Sequence, residues 1–206
     1  FKQKDDYYKI FYSNILSMLD RYGKLQRPTS SPEKSLSAGE YAYVILAVRA
    51  IGKNPARVGK HDLVGLMAER YDSSAIKDLG YVCLAAALGR DSAFYEKCFD
   101  DLLAKSYNDR GYFADGISPL YFEATAVGAA ALEKHGRQEK RLQKIFEHAK
   151  TPKRENGAVI ASIDGINHRP NLSATACLLN LLVMDKKTDV TLLDGIALFK
   201  KNNGLF

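Results

Sequence analysis

Asn108-Asp109-Arg110-Gly111-Tyr112-Phe113 is the stretch on which the fold turns, an Asn-Xaa-Xaa-Gly phrase closed by two apolar residues. It returns more loosely as Glu155-Asn156-Gly157-Ala158-Val159 and as Asn202-Asn203-Gly204-Leu205-Phe206. The glycines recur at intervals of roughly 46 residues, which is the length of one supersecondary unit copied along a chain. A repeat period of this kind speaks to architecture and leaves the ligand open.

Outward from the phrase, everything between the loops reads as helix. Ile10, Phe11, Ile15, Leu16 and Leu19 stand at helical spacing over 8–22, and Gly23 stops the run. A Pro- and Ser-rich connector leads to a second helix over 37–51, with Ser37 as N-cap, Glu40 at the capping-box position and Gly52 as the stop. A third helix covers 61–71, capped from within by Asp62; a fourth covers 74–88 and ends at Gly89; a fifth covers 92–106. The sixth starts at Ser118-Pro119, where proline needs no amide partner, and ends at Gly136. The seventh covers 138–149, stopped by Pro152; the eighth runs from Pro170 or Asn171 through Val183; the ninth covers 190–201.

These helices alternate between two kinds. Tyr41–Val48, Tyr81–Leu88, Ala124–Leu132 and Ala174–Leu179 are apolar and rich in small residues on nearly every side, whereas 95–103 and 140–146 carry charge along one face. A helix apolar all round must be covered all round, and an amphipathic one turns a face to water. Inner and outer helices joined by short loops predict an all-α fold: an α/α toroid, or a segment of one, with about nine helices in a single domain over 1–206.

Composition excludes several classes. The chain's 206 residues suffice for one substantial core. Its longest apolar stretch, Ala174 to Met184, is broken by Thr175 and Asn180 and is too short to span a bilayer. The opening Phe1-Lys2-Gln3-Lys4-Asp5-Asp6 has no apolar signal core. A net charge of +6 raises nucleic acid as a partner, but the basic residues are scattered, the groups at 134–144 and 150–154 lack aromatics, and Glu133 and Glu139 accompany the first, so a solvated face is expected and nucleic acid is not. Cys83, Cys98 and Cys177 sit in apolar helical patterns without Cys-Xaa-Xaa-Cys spacing, and read as buried small hydrophobes.

The run Glu40-Tyr41-Ala42-Tyr43-Val44-Ile45-Leu46-Ala47-Val48-Arg49-Ala50-Ile51-Gly52-Lys53-Asn54-Pro55-Ala56-Arg57-Val58-Gly59-Lys60-His61-Asp62-Leu63 resembles a stretch of bacterial cell-surface proteins with prenyltransferase/squalene-cyclase-type repeats. Those domains are similar in turn to the vitamin-B12 carriers, transcobalamin and intrinsic factor. Tyr112-Phe113-Ala114-Asp115-Gly116 with Glu123-Ala124-Thr125-Ala126, and Gly157-Ala158-Val159 with Asn171-Leu172-Ser173-Ala174-Thr175-Ala176, fit the same template. The resemblance implies an α/α barrel of six helical hairpins around a central cavity, in an extracellular or surface-anchored protein. It also raises cobalamin as a ligand, with His168 as the residue that could approach a corrinoid cobalt. No carrier motif matches residue by residue, so the cofactor stays open.

The catalytic members of such folds leave few matching residues. None of the three cysteines belongs to the Asp-Xaa-Cys pair with which protein prenyltransferases hold zinc, so no zinc site is expected. Asp100-Asp101 lies on an outer helix and Asp5-Asp6 at the terminus, neither placed as a cyclase acid, and the chain has no tryptophan. Ser37-Ala38-Gly39-Glu40-Tyr41 lacks the Cys and Gln of a thioester site. A polysaccharide lyase remains an alternative, as does a terpene cyclase: a base, an acid and a carboxylate neutraliser could be assembled at the cavity mouth from His168, Arg169 and Asn171 with Tyr112, Tyr121 and Glu123, of which His168, Tyr121 and Glu123 are the candidate catalytic groups.

The binding reading places the N-termini of the inner helices on one rim. Glu40, Tyr41, Tyr43, Asp78, Tyr81, Tyr121, Glu123, His168, Arg169 and Asn171 are the candidate ligand-binding residues there, with tyrosine offering a flat apolar face and a polar tip. A closed ring needs more helices than these, and Leu205-Phe206 is no polar cap. The expectation is therefore a fragment of a longer chain, or an open crescent, whose partner is a small molecule, another protein, or a missing part of the same chain. Non-catalytic recognition is the expected function.

Overall fold

Ser37 opens α2 as its spacing to Glu40 demands. In a computed structural model of the chain, Ser37 Oγ accepts from the Glu40 N–H at 3.4 Å while Glu40 Oε2 accepts from the Ser37 N–H at 2.8 Å, both halves of a capping box. The same helix ends in a Schellman motif. Gly52, at φ +78°, donates its N–H to the Arg49 carbonyl at 3.0 Å, and Lys53 donates to Val48 at 3.1 Å. The structure describes residues 2–27, 35–72, 79–106, 119–136, 139–150, 152–162, 168–186 and 189–203.

Among the described residues there are nine helices: α1 (Lys2–Tyr22), α2 (Ala38–Ala50), α3 (Leu63–Ala68), α4 (Leu79–Ala86), α5 (Ser92–Ser106), α6 (Pro119–His135), α7 (Glu139–His148), α8 (Leu172–Met184) and α9 (Val190–Asn203). Each falls on a segment whose periodicity predicts it. Asp62 caps α3 by accepting from Val64 and Gly65, and Asn171 caps α8 by accepting from Ala174. The chain divides into two compact units, Phe1–Leu102 and Leu103–Phe206, with the boundary inside α5.

In the first unit α2 packs on α3 and α4. Leu19, Ile45, Val48, Leu63, Met67, Val82, Phe99 and Leu102 form its core. The segment leading to α3 lies close on α1: a Cβ at Gly59 would stand 2.7 Å from Leu16 Cδ1, and His61 Nε2 reaches Asp20 Oδ1 at 3.1 Å. No residue of α4 is exposed, and α5 turns Lys97 and Asp100 to solvent while burying Cys98, Phe99 and Leu102. The contrast between covered and amphipathic helices holds for α4 against α5, whereas α2, expected to be covered all round, leaves Tyr43 44% exposed.

In the second unit α6 packs on α7 and α8, and α8 packs on α9. Residues 122–132 of α6 include none that is exposed, while α7 buries Ile145 and exposes Lys140, Gln143, Lys144 and Glu147. The helical repertoire is complemented by an element that the helix-only reading does not contain. Three short strands form a small antiparallel sheet in the order β1 (Arg154–Glu155), β2 (Ala158–Ala161), β3 (Arg169–Pro170).

The middle copy of the repeat phrase is the turn of this hairpin. Asn156 and Gly157 both have positive φ, 49° and 83°, as the type I′ turn that suits a two-residue hairpin loop requires. The first copy lies outside the described residues, as do Gly204, Leu205 and Phe206 of the last. Gly157 and Gly195 of α9 meet backbone to backbone, and a Cβ on Gly157 would fall on the Thr191 carbonyl oxygen. The sheet is fastened to α8 by Val159, whose N–H donates to Thr175 Oγ1 at 2.9 Å and whose carbonyl accepts from Asn171 N at 2.9 Å.

Candidate functional site

The three candidates on α2 do three different things. Glu40 Oε2 closes the capping box and also accepts from Arg27 Nη2 at 2.8 Å, a pair left about half exposed. Tyr41 is wholly buried, its hydroxyl accepts from the Leu25 N–H at 2.8 Å, and the Arg70 guanidinium lies 5.3 Å from its ring centroid. It is a core residue that ties the chain after α1 to α2, and it offers no face to a ligand. Tyr43 is 44% exposed, and its ring centroid lies 4.9 Å from that of Tyr81 on α4, with the planes tilted by 53°. Tyr81 is half-buried, and Asp78 lies outside the described residues.

Burial beside α3 and α4 explains why Tyr41 points inward and Tyr43 outward. Successive helical residues are rotated by about 100°, so only one of two tyrosines spaced by two can face the core. Glu40 and Tyr43, three apart, share a face instead. Two pairs thus start from that face, Tyr43 with Tyr81 of α4 and Glu40 with Arg27. Sequence spacing gives no sign of Arg27, because a connector residue carries no periodicity to place it.

In the second unit, Tyr121 stands in the first turn of α6, and its side chain lies outside the description. Glu123 is half-buried on α6, near enough to Cys177 of α8 for its charge to act on that thiol. His168 and Arg169 are exposed, Arg169 within β3 opposite Ala161. Asn171 spends its side-chain oxygen on the Ala174 N–H at 2.9 Å as the N-cap of α8. His168, Arg169 and Asn171 therefore follow one another along the chain into α8, with the cap role occupied by Asn171.

The titratable groups that are shifted lie away from neutral-pH chemistry. Burial pushes the Cys83 and Cys98 thiols up to about 12 and Cys177 up to about 11, so none is a ready thiolate. Burial raises Tyr95 to about 12, and burial followed by its hydrogen bond to Asp101, at 2.8 Å, raises Tyr71. Burial alone would raise the Glu40 carboxyl, but the hydrogen bonds from Arg27 and Ser37 hold it below its ordinary range. Among the described residues no group of three His, Cys, Asp or Glu side chains could hold a metal ion, and no helix is long and apolar enough to cross a membrane.

No family model, curated protein or solved structure matches this chain.

Proposed function

We propose that the chain is a non-catalytic recognition module, built as an α/α toroid of inner and outer helices, that binds a small molecule or another protein in a secreted or surface-anchored setting. The observation that carries this reading is the Tyr43–Tyr81 ring pair, presented by α2 and α4, with Glu40 of the half-exposed Arg27–Glu40 ion pair one helical turn before Tyr43. Aromatic faces with a few fixed polar groups are the make-up of binding surfaces rather than of an acid–base site. The covered helices α4 and α6, alternating with the amphipathic α5 and α7, support the two-layer arrangement.

The test is a ligand screen on the purified chain by NMR with labelled tyrosine rings, run beside a turnover assay on a uronic polymer. Ring signals of Tyr43 and Tyr81 should shift with bound ligand, and no unsaturated uronate should form. Product that disappears in His168→Ala and Glu123→Gln would establish a lyase instead.

A further inference from the structure

We infer that the surface formed by Arg27, Glu40, Tyr43 and Tyr81 takes an uncharged sugar ring of a glycan. This inference rests on the recognition reading above and names its ligand class. The four residues combine two properties seldom needed together. Tyr43 is 44% exposed and its ring centroid lies 4.9 Å from that of Tyr81, while Glu40 stands one helical turn earlier on the same face of α2 and its Oε2 accepts from Nη2 of Arg27, in the segment after α1, at 2.8 Å. No described residue donates to the other carboxylate oxygen, Glu40 Oε1.

A pyranose matches both halves. One of its faces is a sheet of C–H groups, which suits the electron-rich face of a phenol ring. Its edge carries hydroxyls, each able to donate to a carboxylate and accept from a guanidinium. Charge decides against the other candidates. A ring pair beside a carboxylate would also suit a quaternary ammonium, but Arg27 already neutralises Glu40, so a cation would meet no net charge. An anion attracted by Arg27 would meet Glu40 beside it. A proline-rich peptide supplies carbonyl acceptors with few N–H donors, and would leave the carboxylate unsatisfied.

The experiment titrates the full chain with neutral hexasaccharides based on glucose, galactose, mannose and N-acetylglucosamine, reading the tyrosine ring signals by NMR and affinity by calorimetry. At least one should shift Tyr43 and Tyr81 together. Tyr43→Ala should weaken that affinity about tenfold or more, and Tyr43→Phe should retain it, because the face and not the hydroxyl stacks. Arg27→Met should also weaken it while the far-ultraviolet dichroism stays unchanged. Tyr22→Ala, a similarly exposed tyrosine on α1, should leave it unaltered. Tetramethylammonium or a proline-rich peptide shifting the rings where saccharides do not would overturn the sugar assignment and leave recognition standing. Silence from every probe at both rings would overturn the two together.

Discussion

Two buried threonines in the second unit have opposite hydrogen-bonding states. Thr175 Oγ1 accepts from the Val159 N–H at 2.9 Å and donates to the Asn171 carbonyl at 2.6 Å. Thr125, 2% exposed on α6, has no hydrogen-bond partner for its hydroxyl among the described residues. Replacement by valine keeps the shape and removes the oxygen. At Thr175 that strands a buried backbone N–H and should cost about 1–3 kcal/mol. At Thr125 it removes an unmet desolvation cost, so Thr125→Val should be neutral or stabilising in urea denaturation. Equal losses at both sites would mean that Thr125 is bonded after all. The same scale shows why the candidate site was only partly legible. Helical register separates Tyr43 from Tyr41, yet a list of rim residues drawn from sequence admits both, because a tyrosine at a buried and at an exposed position has the same letter. Glu40 carried a double signal, ligand or capping box, and in the structure it closes the box, while Asn171, expected at the rim, serves as the N-cap of α8.

Among the elements, helices were legible because their signals are local: Ser37 with Glu40, Asp62, Asn171, Gly23, Gly52 and Gly136 mark ends that the structure reproduces within a few residues. The hairpin was masked by the repeat phrase. Asn156-Gly157 is a strong two-residue hairpin signal, but its strands are two and four residues long, too short for alternation to show. Its fit on α9 depends on distant residues. Gly157→Ala must bear a left-handed backbone and a clash with the Thr191 carbonyl, whereas Gly23→Ala, at φ +65° with open space around it, bears only the backbone term. The first should cost more than about 3 kcal/mol and the second about 1–2 kcal/mol. Near the same hairpin, Arg154 pairs with Asp189 at the start of α9, and Asp189 Oδ1 accepts from the Thr191 N–H at 3.1 Å. The Thr191 hydroxyl, and then the Arg154 guanidinium, hold the Asp189 carboxyl below its ordinary 3.8. A carboxyl depressed on folding contributes stability that is fully present above its unfolded value and lost as pH falls through the folded one. Stability should therefore decline with acid from just above pH 3.8 downward, and Asp189→Asn should make that part of the decline shallower. An unchanged acid limb in the variant would show that the ion pair does not couple to folding.

At the scale of the whole molecule, a toroid makes a demand on cooperativity that two independent bundles do not. Each compact unit has its own core, with Ile45 wholly buried in the first and Leu178 in the second. In a ring of stacked hairpins every unit borrows burial from its neighbours, so opening one exposes the flank of the next and raises the cost of unfolding either alone. Proposed as a toroid, the chain should melt in a single calorimetric transition with equal van't Hoff and calorimetric enthalpies. Ile45→Ala and Leu178→Ala each leave a core cavity worth about 2–5 kcal/mol, and both should lower that one midpoint. The competing outcome is two transitions, with Ile45→Ala moving only one and Leu178→Ala only the other. That result would make the units separate bundles. The Tyr43–Tyr81 surface would outlive such a result, because both of its helices lie within the first unit.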